Sequence, residues 1–303
     1  MKSAVPSLLA AVAASLLLPH PARSQNALVE GSTEDRFIPA YTAGSIFYSH
    51  SADADFDDAD HGSVQQQEAA VRFDYPYHRG DVLSLTAGLR YRFNRFEFSD
   101  SDLFGHGLDL HRIDAPFQGF VDRGKWNYWF RLEPGLASDF ADGLTSDAFR
   151  ISALALASYA FSERFSGTLG AFYSNELGQS TLLPVAGFIW KPDPQWSISL
   201  TVPRAQIAYA PTADWIFALS AYPSGGSWDI SDTEHGDGRS EFNFGSARAA
   251  ASIDYRLGDG PAWAFVDAGF QIIQNVELVR DGRDFDQDLE PAAFVNVGLK
   301  LRF

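Results

Sequence analysis

Cysteine is absent from all 303 residues of the chain. Its absence excludes disulfide bonds, cysteine metal sites and cysteine nucleophiles, and it excludes a lipoprotein anchor, which needs a cysteine at the cleavage site. Small exported domains often need disulfides for stability. A closed β-barrel does not, because every backbone polar group pairs between neighbouring strands.

Long apolar stretches are also scarce. The one candidate is Leu8–Leu18, which follows a basic residue and is too short to span a bilayer as a helix, since that takes roughly 20 residues. Ala22 and Ser24 place small residues at the two positions that a signal peptidase checks. The sequence therefore predicts an exported protein with a cleaved signal peptide at 1–24 and a periplasmic lead-in at 25–35.

Basic residues are few. The segment 1–24 carries Lys2 and Arg23 and no acid, so the rest of the chain has 21 basic and 39 acidic side chains and a formal charge of −18. Nucleic-acid binding needs a basic footprint, and this balance argues against it. Aromatic residues are plentiful, with 25 Phe, 11 Tyr and 7 Trp. Tyr and Trp suit the interfaces of a membrane.

Apolar and polar residues alternate strictly in several parts of the chain, which is the pattern of a strand with two different faces. In Val82–Asn94 the apolar face consists of Leu83, Leu85, Ala87, Leu89, Tyr91 and Phe93. The pattern recurs in Arg150–Phe161, Ala247–Leu257 and Trp263–Leu278, and the apolar face of the last includes Val276 and Leu278. A soluble strand is typically about 5–6 residues long, whereas a tilted membrane strand takes roughly 9–11. The alternation therefore predicts membrane-spanning strands.

Two kinds of connection separate these strands. The short ones carry the Gly, Pro and Asp residues of tight turns. Most of the others are longer and acidic, near 51–63, 99–109, 139–147, 224–241 and 280–290. Counting between the connections gives fourteen strands, or twelve if the short segments around Pro203 form one irregular excursion. We predict an all-β fold, an antiparallel up-and-down transmembrane β-barrel that forms one domain over 36–303.

The C-terminal segment shows the alternation at its clearest. One face of this strand consists of Ala293, Val295, Val297, Leu299, Leu301 and Phe303. An apolar face that ends in a terminal phenylalanine resembles the closing strand of bacterial outer-membrane β-barrels, and the alternative is an edge strand of a soluble sheet. In the barrel family this pattern is read by the barrel-insertion machinery, so the resemblance assigns Val297, Leu299, Leu301 and Phe303 to an insertion signal. It also implies the outer membrane of a Gram-negative bacterium, with membrane lipids and lipopolysaccharide as partners.

A second resemblance rests on a block with closely spaced prolines. It combines the strand Leu182–Trp190, the turn at 192–196, Pro203-Arg204-Ala205 and Tyr209-Ala210-Pro211. This block resembles an uncharacterised single-domain barrel family of Gram-negative bacteria, a domain of unknown function. The family has no assigned reaction, so the resemblance implies a location and a fold but no mechanism.

Charged residues at inward positions are the candidate functional residues. If the alternation holds, the lumen-lining charges are Arg90, Arg92, Arg131, Glu133, Arg150, Asp254, Arg256, Asp267, Glu277, Lys300 and Arg302. Charges facing lipid would be costly, which favours this assignment. Two interpretations stay open: ion pairs that brace and plug a narrow barrel, or charges that line an aqueous pore and set its ion preference.

The remaining candidates are weaker. Acidic runs lie at 53–60, 229–237 and 281–290, and hard cations take carboxylate oxygens, so loop-bound cations are one hypothesis and a solvated loop face is the other. No Gly-x-Ser-x-Gly, His-Glu-x-x-His or phosphate loop occurs. We therefore predict no enzymatic activity, no cofactor and no metal; a lipid-modifying enzyme using rim residues such as His50 or His111 is the least favoured alternative.

We predict a passive narrow channel or a structural barrel in the outer membrane. The alternative is a surface interaction or cation-binding barrel that acts through its acidic extracellular loops.

Overall fold

The computed structural model describes residues 42–57, 62–99, 107–141, 143–174, 181–201, 204–232, 238–280 and 283–302. The predicted signal peptide and lead-in, and the terminal Phe303, lie outside these ranges. Within them almost every residue belongs to a strand, with one 3₁₀ turn at Ser146–Ala148. No helix in the described ranges is long and apolar enough to cross a membrane.

The strands occupy fourteen successive positions. They are β1 (Thr42–Ser51, continued by Ala54–Asp55), β2 (Ser63–Arg79), β3 (Leu83–Ser99), β4 (Leu108–Asp114 and Phe117–Arg123), β5 (Trp126–Ser138), β6 (Phe149–Ser162), β7 (Phe165–Ser174), β8 (Thr181–Trp190), β9 (Trp196–Thr201), β10 (Ala205–Thr212), β11 (Trp215–Asp232), β12 (Gly238–Arg256), β13 (Ala262–Arg280) and β14 (Arg283–Leu289 and Ala292–Arg302). The strands are longest at β11–β13 and shortest at β7–β10.

Every strand pairs antiparallel with the next, and the last pairs with the first. The closing pair β14–β1 sets Lys300 opposite Ser45 and Asn296 opposite Ser49. The prediction of a fourteen-strand antiparallel up-and-down barrel is confirmed. The segments on either side of Pro203 form two separate strands, β9 and β10, each paired on both sides.

Two strands are interrupted at a proline, which lacks the N–H that the ladder needs. In β4 the break falls at Ala115-Pro116, where the Pro116 carbonyl still accepts from the Gly88 amide at 2.8 Å. In β14 it falls at Glu290-Pro291, and both halves pair with β13. Each pair of segments is therefore one position in the ring.

Apolar side chains cover the outside of the barrel. Leu89, Leu169, Leu182, Leu219 and Ile253 all point outward and are exposed. At the end that carries the short turns, which we call the turn end, tryptophan–tyrosine pairs link neighbouring strands: Trp126–Tyr159, Trp196–Tyr209 and Trp215–Tyr255, with ring centroids 4.9, 4.7 and 4.5 Å apart. An apolar belt with an aromatic edge is the surface that a bilayer requires.

At the opposite end, the loop end, two predicted loops are wrong. The segments 224–241 and 280–290 are mostly strand: β11 and β12 stay paired as far as Asp232 and Gly238, and the Arg283–Leu289 half of β14 pairs with β13. Their Gly, Ser and Asp residues suggested loops. In β11 these polar residues are buried beside apolar ones, with Ser227 and Asp229 on one face and Trp228 and Ile230 on the other, so neither face is exposed to water or lipid.

The predicted outward position of Val276 and Leu278 is also wrong. A bulge in β13 sets Gln271 opposite Arg248 but Ile273 opposite Ala247, so one extra residue enters the strand. An extra residue reverses the alternation beyond it. Val276 and Leu278 are therefore buried inside, and Glu277, which was expected inside, lies on the other face and accepts a hydrogen bond from Asn243.

Candidate functional site

The enclosed face of the barrel is where the functional candidates meet. Inward charged side chains line β2–β5 and β12–β14, and we call this part of the lumen the ionic wall. It contains Glu68, Arg72, Asp74, Arg90, Arg92, Arg112, Asp114, Arg131, Glu133, Arg248, Asp254, Asp267, Lys300 and Arg302. Most of these side chains form ion pairs with one another.

Glu133 of β5 is central to one group. Its carboxylate is fully buried and lies 2.6 Å from Arg90 Nη1 of β3 and 3.3 Å from Arg131 Nε of its own strand. Strands β3 and β5 lie on either side of β4, so the Arg90–Glu133 pair spans an intervening strand on the inside. Two predicted arginines and the predicted glutamate are thus brought together.

Glu68 of β2 organises a second group. It lies 3.4 Å from Arg92 Nε and 3.6 Å from Arg248 Nη1. Arg248 is buried, and its guanidinium also donates to Gln271 Oε1 at 3.1 Å and to Gln66 Oε1 at 3.2 Å. Because Gln66 on β2 and Arg248 on β12 are separated around the ring by β1, β14 and β13, this group joins distant parts of the wall across the lumen.

Arg112 and Asp114 of β4 form a third, fully buried pair, with Arg112 Nε 2.8 Å from Asp114 Oδ1. On β2 the same two-residue spacing joins Arg72 to Asp74. Residues i and i+2 of a strand point to the same face, which brings each arginine beside its aspartate.

The fourth group lies near the turn end. Asp254 of β12 accepts from Lys300 Nζ at 3.1 Å and pairs with Arg302. The two cations also lie over Phe265 and Trp263, with Lys300 Nζ 3.9 Å from the Phe265 ring centre. On β13, Asp267 accepts from Asn296 at 3.1 Å.

The two remaining predicted lumen charges, Arg150 and Arg256, lie at the ends of their strands, outside the four groups of the ionic wall. Arg150, at the loop end of β6, donates to Ser227 Oγ at 3.0 Å and lies 3.7 Å from Glu241 Oε1. Arg256, at the turn end of β12, donates to the backbone carbonyls of Gly260 and Asp259 at 3.0 and 2.9 Å. Arg256 therefore fixes the turn that follows its own strand.

At the loop end β11 separates from β10 and crosses toward β5. Pairing between β10 and β11 ends at Ala221, and further along β11 Asp229 forms a parallel bridge with Ser138 of β5, which is not its neighbour in the ring. Strand β12 stays paired with β11, and with β13 as far as Glu241. We call residues 222–232 and 238–247 the folded-in hairpin, because this part of β11 and β12 reaches β5 from the other side of the barrel.

Side-chain hydrogen bonds hold the folded-in hairpin in place. Thr145 donates to Asp229 Oδ2 at 2.8 Å, and Asp139 accepts from the Ser231 amide at 2.8 Å. From β3, Arg92 Nη1 donates to the Gly225 carbonyl at 3.3 Å. Two segments of the barrel, the connection between β5 and β6 and strand β3, thus fasten the hairpin across the lumen.

Beneath the hairpin lies an apolar cluster, which we call the loop-end cluster. Its buried members are Ala54, Phe56, Val64, Phe96, Phe98, Leu110, Ala137, Trp228, Ile230, Phe242, Phe244, Val276, Leu278, Leu289 and Ala292. Trp228 is fully buried, with its ring centre 6.0 Å from that of Phe96 and 6.1 Å from that of Phe242. The cluster closes the loop end between β1–β5 and β11–β14.

The opposite part of the lumen is different. Apart from Arg150, strands β6–β10 contain no Asp, Glu, Lys or Arg. We call their inner face the uncharged wall. It combines hydroxyl and amide groups, such as the Ser158–Thr168 pair at 2.8 Å, with an apolar patch around Leu154, Phe172 and Val185.

Several ionic-wall residues were missed in the sequence, including Glu68, Asp74, Arg112 and Asp114, and Arg248 was left out of the lumen charges although it shares the polar face of its strand with Asp254. The strand that contains Arg112 and Asp114 was counted near 109–122 and their i, i+2 spacing was present as a signal, but the interruption at Pro116 obscured which face they occupy. The acidic runs are only partly described, and among the described residues no three His, Asp or Glu side chains are grouped to hold a metal ion.

Comparison with known proteins gives a family and a set of similar structures. A family model described as "Domain of unknown function (DUF6268)" matches residues 123–302. No curated protein matches the chain. The chain is similar to the toluene transporter TodX of Pseudomonas putida, with 9% identity, a TM-score of 0.46 and coverage of 92% of this chain and 94% of that chain.

Two further solved structures are similar. An outer membrane channel from Pseudomonas putida F1 has 12% identity and a TM-score of 0.45, with 86% of this chain and 94% of that chain covered. The KdgM porin has 10% identity and a TM-score of 0.36, with 86% and 99% covered.

Proposed function

The chain belongs to the DUF6268 family, and we propose that it is an integral outer-membrane β-barrel whose lumen is a narrow passive passage without catalytic activity. The observation that carries the proposal is the contrast between the two faces of the closed ring. The outer face is apolar with an aromatic edge, and the inner face is lined by ion pairs and hydroxyl groups. Such a ring is built to sit in a bilayer around a polar interior.

The ion pairs of the ionic wall favour a narrow passage rather than a wide aqueous pore. Ion pairs such as Glu68–Arg248 and Glu133–Arg90 connect strands that are not neighbours, which brings their side chains into the middle of the barrel. Glu133, Arg112 and Asp114 are fully buried. In a wide aqueous pore these groups would be solvated, so the space they occupy is lost to transport.

The contacts of the rim histidine His111 do not favour catalysis; His106 lies outside the described residues. His111 has Nδ1 2.8 Å from the Tyr91 hydroxyl and packs beside Phe93 and Phe140. A histidine that activates a serine or a water needs that group within hydrogen-bond distance. The contacts of His111 are those of an aromatic residue at a membrane edge.

Single-channel recording tests the proposal. The refolded chain 25–303 in a planar bilayer should give small discrete openings. A control on the same preparation is heat modifiability in gel electrophoresis, which reports whether the barrel has folded. A folded barrel that shows no conductance at any voltage would contradict the passage and favour a purely structural barrel.

A further inference from the structure

The charged and uncharged residues of the lumen are separated, and this separation bears on what can pass. Ion pairs fill the side formed by β2–β5 and β12–β14. The inner residues of β6–β10 are uncharged apart from Arg150, which is engaged by the folded-in hairpin through Ser227. The inner faces of β7–β10 offer a solute hydroxyl, amide and apolar groups, and a described cation beside them is Arg204 in the connection between β9 and β10, which lies 5.0 Å from the Tyr222 ring centre.

Burial does not distinguish one wall from the other. In the ionic wall Glu133 is fully buried, whereas the Lys300 and Arg302 side chains are 22% and 21% exposed. On the uncharged wall Val185 is buried, whereas Ser199 and Gln206 are partly exposed. The accessible inner surface therefore includes part of the uncharged wall, and the difference between the two walls is one of charge.

The chemistry of the uncharged wall selects against ions. An ion that leaves water needs counter-charges or many oriented dipoles, and the interior of β7–β10 offers no charged group. Hydroxyls and amides such as Ser199 and Gln206, which lie opposite each other on β9 and β10, can exchange hydrogen bonds with the hydroxyl groups of a solute.

We propose that the passage runs along the uncharged wall and admits small uncharged hydroxylated solutes in preference to ions of the same size. The inference rests on the proposed function, since it specifies the solute class of that passage. The ionic wall then serves as a brace that fills the other side of the lumen. The folded-in hairpin and the loop-end cluster keep the loop end closed over the brace.

Swelling of proteoliposomes tests the solute class. The reconstituted chain 25–303 is given sorbitol or potassium gluconate, which have equal carbon number, and a potassium ionophore supplies the counter-ion. We expect sorbitol to enter at least about tenfold faster, because the uncharged wall offers gluconate no counter-charge.

Matched variants test the route. Ser199 points inward, and its neighbour Leu200 points outward and is exposed to lipid. Ser199→Trp should reduce sorbitol entry strongly, whereas Leu200→Trp should leave it unchanged. Gln206→Trp, on the partner strand, provides a second inward block if Ser199→Trp does not yield a heat-modifiable barrel.

The outcomes separate the two proposals. Equal entry of gluconate and sorbitol, or equal swelling of the Ser199→Trp and Leu200→Trp barrels, would overturn the uncharged route while the passage itself remains. A folded barrel with neither swelling nor conductance would overturn the passage. Fast sorbitol entry that Ser199→Trp blocks supports both.

Discussion

Replacing Glu133 with glutamine should destabilise the barrel more than any loss of an exposed ion pair. Glu133 is fully buried and lies 2.6 Å from Arg90 Nη1 and 3.3 Å from Arg131 Nε. Glutamine keeps the shape but removes the negative charge that Glu133 supplies to two largely buried guanidinium groups. Breaking a buried pair by removing one partner costs about 3–5 kcal/mol, since the remaining charge is desolvated and uncompensated.

The chain supplies a matched control in the Arg95–Asp109 pair. Its Nε–Oδ1 distance is 2.7 Å, close to that of the Arg90–Glu133 pair, but both side chains are about half exposed, at 45% and 49%. Exposed pairs contribute at most about 1 kcal/mol. Asp109→Asn should therefore lower the free energy of unfolding by no more than that amount.

Urea titration of the refolded barrel in detergent, followed by tryptophan fluorescence, gives both free energies of unfolding. The double variant Arg90→Gln/Glu133→Gln should recover part of the loss, because removing both charges of a buried pair costs less than removing one. If Glu133→Gln and Asp109→Asn lower the free energy of unfolding by the same amount, burial does not set the strength of these ion pairs. The argument that the buried pairs brace the barrel would then be wrong.

Three further outcomes are expected. Asp139→Cys/Ser231→Cys should form a disulfide on refolding, because the Ser231 hydroxyl lies 3.3 Å from Asp139 Oδ1 and the chain has no other cysteine; a thiol that stays fully reactive to maleimide would contradict the folded-in hairpin. Trp228→Ala should lower the free energy of unfolding by about 3–5 kcal/mol through the cavity it leaves, while the folded barrel keeps its preference for sorbitol over gluconate in the swelling assay. Phe303→Ser should reduce the amount of barrel assembled in the outer membrane of intact cells without preventing refolding in detergent, whereas Phe303→Tyr should assemble normally; equal assembly of the two variants would remove the insertion signal.

The strand count could be predicted because the strands repeat a strong local signal. Alternation with period two marks each membrane strand, and turn residues mark each turn end. The closing strand illustrates this best: Val297 and Leu299 face outward and are exposed, while Asn296 is buried inside, as the pattern predicts. The short strands beside Pro203 were counted only as the favoured of two alternatives, because each is too short to show a long alternation.

Two features could not be predicted from the sequence. One is the position at which the inward–outward alternation of a strand reverses, and the other is the position at which a strand separates from its neighbour in the ring. The extra residue in β13 is not marked by glycine or proline, so Val276 and Leu278 keep an apolar pattern that fits lipid as well as it fits a core. The folded-in hairpin is hidden for a related reason. Asp229 and Ser231 of this hairpin are held by Thr145 and Asp139, which are close to them in space but 84 and 92 residues away along the chain.

The separation of the two walls follows from how a ring of this size can be filled. Eight strands enclose a space that side chains close, and 16–18 strands leave an open channel, so fourteen strands enclose more than a simple apolar core would fill. Buried charges are tolerated only when paired, which requires them to cluster. The paired charges cluster on β2–β5 and β12–β14, so they fill one side of the lumen and leave the other side free of charge. The ionic brace and the proposed passage beside it are therefore two consequences of the same arrangement. Because the enclosed charges are largely paired with each other, the formal charge of −18 that remains after residues 1–24 (21 basic and 39 acidic side chains) must be carried mainly by the turns, the connections and the outer faces of the strands. One acidic segment is tied to the fold as well, since Asp229 pairs with Arg239 and accepts a hydrogen bond from Thr145.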